Sequence, residues 1–201
     1  HFVLRTSLYR ASLLPTFRKY LVPDVSQIRF VSLIPSPEKS PSSSLSYMVG
    51  AAAETMSSKV DWVVNGDGIL NSTRLKRVLD DAALSGEEVL ILGTAFALAH
   101  WLDQLQGQKL RPLPPGSRIM ETGGFKSRVH SINKEQLHES LAATVGLKPD
   151  RIVSEYGMTE LLSQLYESQL TKSQKGHTPP PWLKVRALNP TTLEPVEEHE
   201  S

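Results

Sequence analysis

The chain has 201 residues, enough for one domain with a sizeable core and too few for two generous ones. Lysine and arginine number 22 against 21 aspartates and glutamates, and this formal net charge of +1 argues against a global field that recruits nucleic acid or anionic lipid. The absence of cysteine excludes disulfides, Cys-ligated zinc, iron–sulfur clusters and thiol nucleophiles within the chain, while 39% apolar residues argue against global disorder.

Helix-period and strand-period segments alternate, the pattern of an α/β domain with a mostly parallel sheet flanked by helices. Thr6 to Leu21 predicts a helix, with Leu13, Leu14, Phe17 and Leu21 inward and a bend at Pro15. Gln27 to Ile34 reads as a strand. The Pro- and Ser-rich stretch 35–44 reads as a surface loop. Leu45 to Met56 predicts a helix and Val60 to Val64 a strand, with a tight turn at Gly66-x-Gly68. The next helix is better marked: Asn71 or Ser72 caps it, Leu75, Val78, Leu79 and Ala82 share a face, and Gly86 closes it. Glu87 to Leu92 predicts a buried strand, followed by a turn at Gly93 to Phe96 and an apolar helix ending near Leu105. Three prolines mark 107–116 as a loop, and Arg118 to Glu121 reads as a short strand. Asn133, with Gln136 three residues on, caps a helix carrying Leu137, Leu141 and Val145 and closed by Gly146. Arg151 to Ser154 predicts the last parallel strand, with a helix expected through Leu161, Leu162 and Leu165.

The longest apolar stretch, Val89 to Leu102, is interrupted and shorter than the ~20 residues that cross a bilayer. A cytoplasmic location is expected. There is no G-x-S-x-G elbow, no H-E-x-x-H and no phosphate-binding P-loop motif, and the six histidines have no ligand spacing. His100 reads as a packed or rim residue and His138 as a solvated one. The chain opens on His1 and closes on a segment, Trp182 to Val196, that reads as a strand, a turn and the start of a second strand. A piece of a longer protein is therefore expected.

Two constellations rise above this background. Glu121-Thr-Gly-Gly-Phe ends a strand in Gly123 and Gly124, whose missing side chains make either a plain turn or a close approach to a ligand. Tyr156-Gly-Met-Thr-Glu stands at the carboxyl end of the last parallel strand, where open sheets bind ligands. Tyr156 offers a face for a base, Thr159 a hydroxyl for a phosphate oxygen, and Glu160 an oxygen for Mg²⁺. The alternative puts Tyr156 in the core and Thr159 and Glu160 in the first turn of a helix.

The run Tyr156-Gly-Met-Thr-Glu resembles the Y-G-x-T-E signature of adenylate-forming enzymes, with the paired glycines lying 32 positions upstream, from Gly124 to Tyr156. Within that superfamily the chain is most similar to LuxE-type acyl-protein synthetases. The likeness is carried by Glu121-Thr-Gly-Gly-Phe-Lys-Ser-Arg, Ser154-Glu-Tyr-Gly-Met-Thr-Glu-Leu and Trp182 to Val196. It implies one partial domain over residues 1–201, the middle of the family's large N-terminal domain. By the resemblance, Tyr156, Gly123, Gly124 and Gly157 hold the adenine of ATP, Thr159 the α-phosphate and Glu160 Mg²⁺, with Thr159 and Glu160 catalytic. Gly93, Phe96, Thr122 and Met158 lie near the acyl group.

The implied reaction activates a carboxylic acid, in this family a long-chain fatty acid, as acyl-adenylate, and passes it to a thiol on a protein or on CoA. The family's phosphate loop would precede His1, and its ribose-binding acid and lysine-bearing lid domain would follow Ser201, so this polypeptide alone is expected to be inactive. A phenylacetate-type CoA ligase and a non-catalytic nucleotide-binding domain are the alternatives.

Overall fold

The computed structural model describes residues 5–65, 67–123, 133–171, 176–186 and 188–196. Eleven regular elements carry the fold: α1 (Thr6–Leu21), β1 (Ile28–Ser32), α2 (Ser44–Met56), β2 (Ser57–Trp62), α3 (Ser72–Ser85), β3 (Val89–Thr94), α4 (Ala95–Leu105), β4 (Arg118–Thr122), α5 (Lys134–Val145), β5 (Ile152–Met158) and β6 (Ser163–Glu167). The strands form one sheet in the order β2-β1-β3-β4-β5-β6, parallel throughout except for the antiparallel pair β5 and β6. This is the expected α/β architecture.

Period-2 alternation sends successive strand residues to opposite faces. Val31, Ile91, Ile119 and Ile152 pack on one face with Leu75, Leu79, Leu98, Leu137 and Leu141 of α3, α4 and α5. Phe30, Leu90, Met120 and Val153 pack on the other with Leu13, Phe17, Met48 and Val49 of α1 and α2. Both faces are covered, so the central strands β1 and β4 are buried along their whole length.

The caps foreseen in the sequence are in place. Asn71 accepts from the Arg74 amide at the start of α3, and Gly86 ends that helix at φ 74°. Asn133 and Gln136 form a reciprocal capping box on α5. Pro15 sits inside α1, where Thr16 turns its hydroxyl onto the carbonyls of Ser12 and Leu13.

The chain departs from expectation after Ser154. β5 continues through Met158, and the expected helix is instead one 3₁₀ turn, Thr159–Leu161, followed by β6. Leu162 adopts the left-handed conformation at φ 48°, which stops helix growth, and the chain turns back to complete a ladder with β5. The new strand is held from the side by α1: Tyr9 accepts from Gln164, Ser12 meets Ser163, and Tyr20 stacks on Tyr166. Near the C-terminus the expected turn is present, with Asn189 accepting from the amides of Thr191 and Thr192, but among the described residues its two strands reduce to a single bridge between Leu188 and Pro195. Of the turn expected at Gly66-x-Gly68, Gly68 has φ 78° and Gly66 lies outside the described residues.

Candidate active site

A cavity of about 330 Å³ opens at the carboxyl ends of β4 and β5. Thr122 of β4, Glu155, Gly157 and Met158 of β5, and Thr159 and Glu160 of the following turn supply one wall. Tyr9 of α1, Ser44, Leu45 and Met48 of α2, and Gln164 of β6 supply the other. The parallel register explains the meeting of the first group: Thr122 and Glu155 are direct partners across β4 and β5. Thr159 is oriented by a 2.9 Å hydrogen bond with Ser44, the first residue of α2.

Glu155 is the unusual member. It is buried, its Oε2 accepts from the Thr122 hydroxyl, and burial pushes its pKa up to about 7 against the Thr122 bond, with the Glu121 charge adding to the rise. Its Oε1 occupies space that only a glycine at 157 leaves open, since a Cβ there would lie 2.5 Å away. Tyr9 is raised in the same way, by burial first and then by the Glu155 charge.

Alternation along β5 sends Ser154 and Tyr156 to the opposite face. There Glu121 accepts from Ser154 at 2.6 Å and lies 3.4 Å from Nε2 of His138, which is half-buried against this carboxylate and not solvated as expected. Ser154 is also 3.3 Å from His177, and the Tyr156 ring stands 6.0 Å from His177, edge-on. Burial, and after it the Lys134 charge, lowers the pKa of His177. The phenol is 47% exposed, so Tyr156 is no core aromatic.

Thr122, Gly157, Met158, Thr159 and Glu160 thus share one cavity, with Tyr156 on the other side of the same strand end. Gly123 follows β4 at φ 88° with open space where a side chain would be, and Gly124 lies outside the described residues. Gly93 and Phe96 do not reach the cavity. Gly93, next to last in β3, lies beneath Leu98, and Phe96 lines a second cavity of about 270 Å³ with Leu33, Val64, Leu70 and His100. The two cavities share no lining residue. Tyr9, Ser44, Glu155, Gln164 and His177 went unforeseen. Only Glu155 left a trace in the sequence, as a carboxylate inside a buried-type strand.

Among the described residues no three His, Asp or Glu side chains converge to hold a metal ion. A single hard oxygen such as that of Glu160 at the cavity wall still suits Mg²⁺, which keeps its waters and takes one or two carboxylates beside substrate phosphates. No helix among the described residues is long and apolar enough to cross a membrane.

Solved structures with the same fold include two of coronafacic acid ligase from Pectobacterium brasiliense. A point-mutant form superimposes with a TM-score of 0.57 at 14% identity, covering 91% of this chain and 33% of that one. Another form gives 0.52 at 13% identity, covering 79% and 28%. The chain therefore spans about a third of the length of these structures. The family model for acyl-protein synthetase, LuxE, matches residues 38–200, and the chain belongs to that family. Among curated proteins no match is found.

Proposed function

We propose that this chain is part of the large N-terminal domain of an enzyme that activates a carboxylic acid with ATP and Mg²⁺ as acyl-adenylate and then transfers the acyl group to a thiol. The observation that carries the reading is the meeting of Thr159, Glu160, Gly157 and Thr122 in one cavity at the carboxyl end of a parallel sheet. A nucleotide would lie across the end of β5, its base against Tyr156 and Gly123 and its phosphates over Thr159 and Glu160. Thr159, held by Ser44, would hold an α-phosphate oxygen. A carboxylate oxygen attacks the α-phosphorus, pyrophosphate leaves, and the mixed anhydride results. A thiolate sulfur then attacks the acyl carbon and AMP leaves. Glu160 would hold Mg²⁺, which neutralises phosphate charge. The rest is positioning by fixed donors.

Family membership supports the thiol as acceptor and a long-chain fatty acid as the carboxylate. ATP–pyrophosphate exchange by the full-length protein, dependent on an added acid, tests the first step. Exchange that needs no acid, or no exchange at all, returns the chain to a nucleotide-binding scaffold. Thioester formed only with CoA moves it to the CoA ligases.

A further inference from the structure

The second cavity, about 270 Å³, shares no residue with the site described above. Its wall is mostly apolar, built by Leu33, Val64, Ile69, Leu70, Phe96 and Ala97. The two polar side chains of the wall are already engaged: Gln104 donates from Nε2 to Nε2 of His100 at 2.9 Å, and its Oε1 takes the hydroxyl of Ser72. A ligand therefore finds here surface to bury and little to hydrogen-bond. The wall is also preformed. Val64 and Leu70 pair across a turn in which Gly68, at φ 78°, donates its amide to the carbonyl of Asn65, and Asn65 donates to that of Ile69. Yet Ile69 and Phe96 remain 63% and 60% exposed, and large apolar side chains left in water around an apolar hollow mark a surface that something covers.

The place of the cavity on the sheet says what covers it. Thr94 at the end of β3 pairs with Thr122 at the end of β4, and neighbouring strands stand about 4.8 Å apart. Thr122 lines the first cavity, while Thr94 caps α4, whose first turn carries Phe96 and Ala97. The two hollows thus lie along the same carboxyl edge of the sheet, joined through two adjacent strand ends.

We propose that the second cavity seats the hydrocarbon tail of the carboxylic acid whose carboxylate is activated in the first, the tail crossing from the end of β4 to the end of β3. The inference rests on the carboxylate-activation reading and gives its substrate's tail a place. Only an acid with enough methylenes to pass Thr94 gains from this wall, so the cavity selects for chain length. Each methylene that leaves water for an apolar wall is worth about fourfold in binding. That gain is the same in ground and transition states, so it enters kcat/KM through KM.

The test is ATP–pyrophosphate exchange by the full-length protein, driven in turn by the saturated acids from butanoate to tetradecanoate. kcat/KM should rise about fourfold per methylene over the longer acids, carried by KM, and level off once the cavity is full. Phe96→Glu sets a charge in the wall and Ala97→Leu takes up its space; each should lower the ratio of kcat/KM for tetradecanoate over hexanoate by about tenfold or more. Phe96 is exposed, so its variant decides the matter if Ala97→Leu does not fold. A kcat/KM that is level across the whole series, or a ratio that Phe96→Glu leaves unmoved, overturns the inference and leaves carboxylate activation standing. An unmoved ratio in a variant that splits a dimer of the full-length protein would give this surface to a second copy instead. Exchange with none of the acids overturns both readings.

Discussion

Glu155 joins two properties that proteins seldom combine, burial and, among the described residues, a carboxyl without a cationic partner. Its pKa in the fold, about 7, lies above the ordinary 4.5, so the folded state holds this proton more tightly than the unfolded chain does. The stability it contributes is complete below about pH 4.5 and is lost as pH rises through about 7. Glu155→Gln removes the titration. The Tm of the unaltered protein minus that of the variant should fall across this interval and level off above it; a difference flat with pH would show that the carboxyl is not protonated in the fold. Under the proposed function Tyr156 and Glu160 would make separable contributions. Tyr156→Ala in the full-length protein should weaken ATP binding by ~1–3 kcal/mol, the worth of a base stacked on an aromatic ring, read by calorimetry. Unchanged affinity would leave the ring no part in holding the base. Glu160→Gln should slow pyrophosphate exchange on the order of a hundredfold, as several kcal/mol of charge stabilisation are lost, with the unfolding transition in place. An unaltered rate would take Glu160 out of the metal role.

At the level of elements, α5 is held by local chemistry and the site strand by distant partners. α5 starts from its capping box, so Asn133→Ala should cost about 1 kcal/mol in urea unfolding, with little effect on exchange, because the cap lies outside the cavity. A loss near zero would mean that packing of Leu137 and Leu141 alone holds the helix. The hairpin of β5 and β6 is different. Its edge strand is fastened through Tyr9, Ser12 and Tyr20 of α1, well over a hundred positions away, and Gln164 reaches the cavity only because of that pairing. Helical spacing of Leu161, Leu162 and Leu165 could not disclose this, since the ladder partner that overrides it is a neighbouring strand.

Across the molecule, the end of α1 is tied to the sheet by a fully buried guanidinium. Arg118 of β4 donates to the carbonyls of Leu21 and Gly116 and to Asp24, joining the end of α1 to the sheet floor beneath the site. Arg118→Met should destabilise the fold by about 1–3 kcal/mol for each carbonyl left without its donor. Asp24→Ala should cost less, about 1 kcal/mol or below, because Asp24 is half exposed and water replaces what it loses. Equal losses in denaturant unfolding would show that the ion pair, and not the carbonyls, is the tie.

The amino-acid order was enough to reveal the α/β class, the capped helices α3 and α5, and the place of Tyr156 to Glu160 at the carboxyl end of a parallel strand, because propensity, caps and period act within a few residues of one another. The cavity's other half came from folding. Tyr9, Ser44 and Gln164 are brought to Thr122 and Glu155 from three separate elements, and Phe96 is taken to a different cavity, by strand order and by which face each helix covers. Those are matters of pairing between remote segments, and no local pattern of residues encodes the partner.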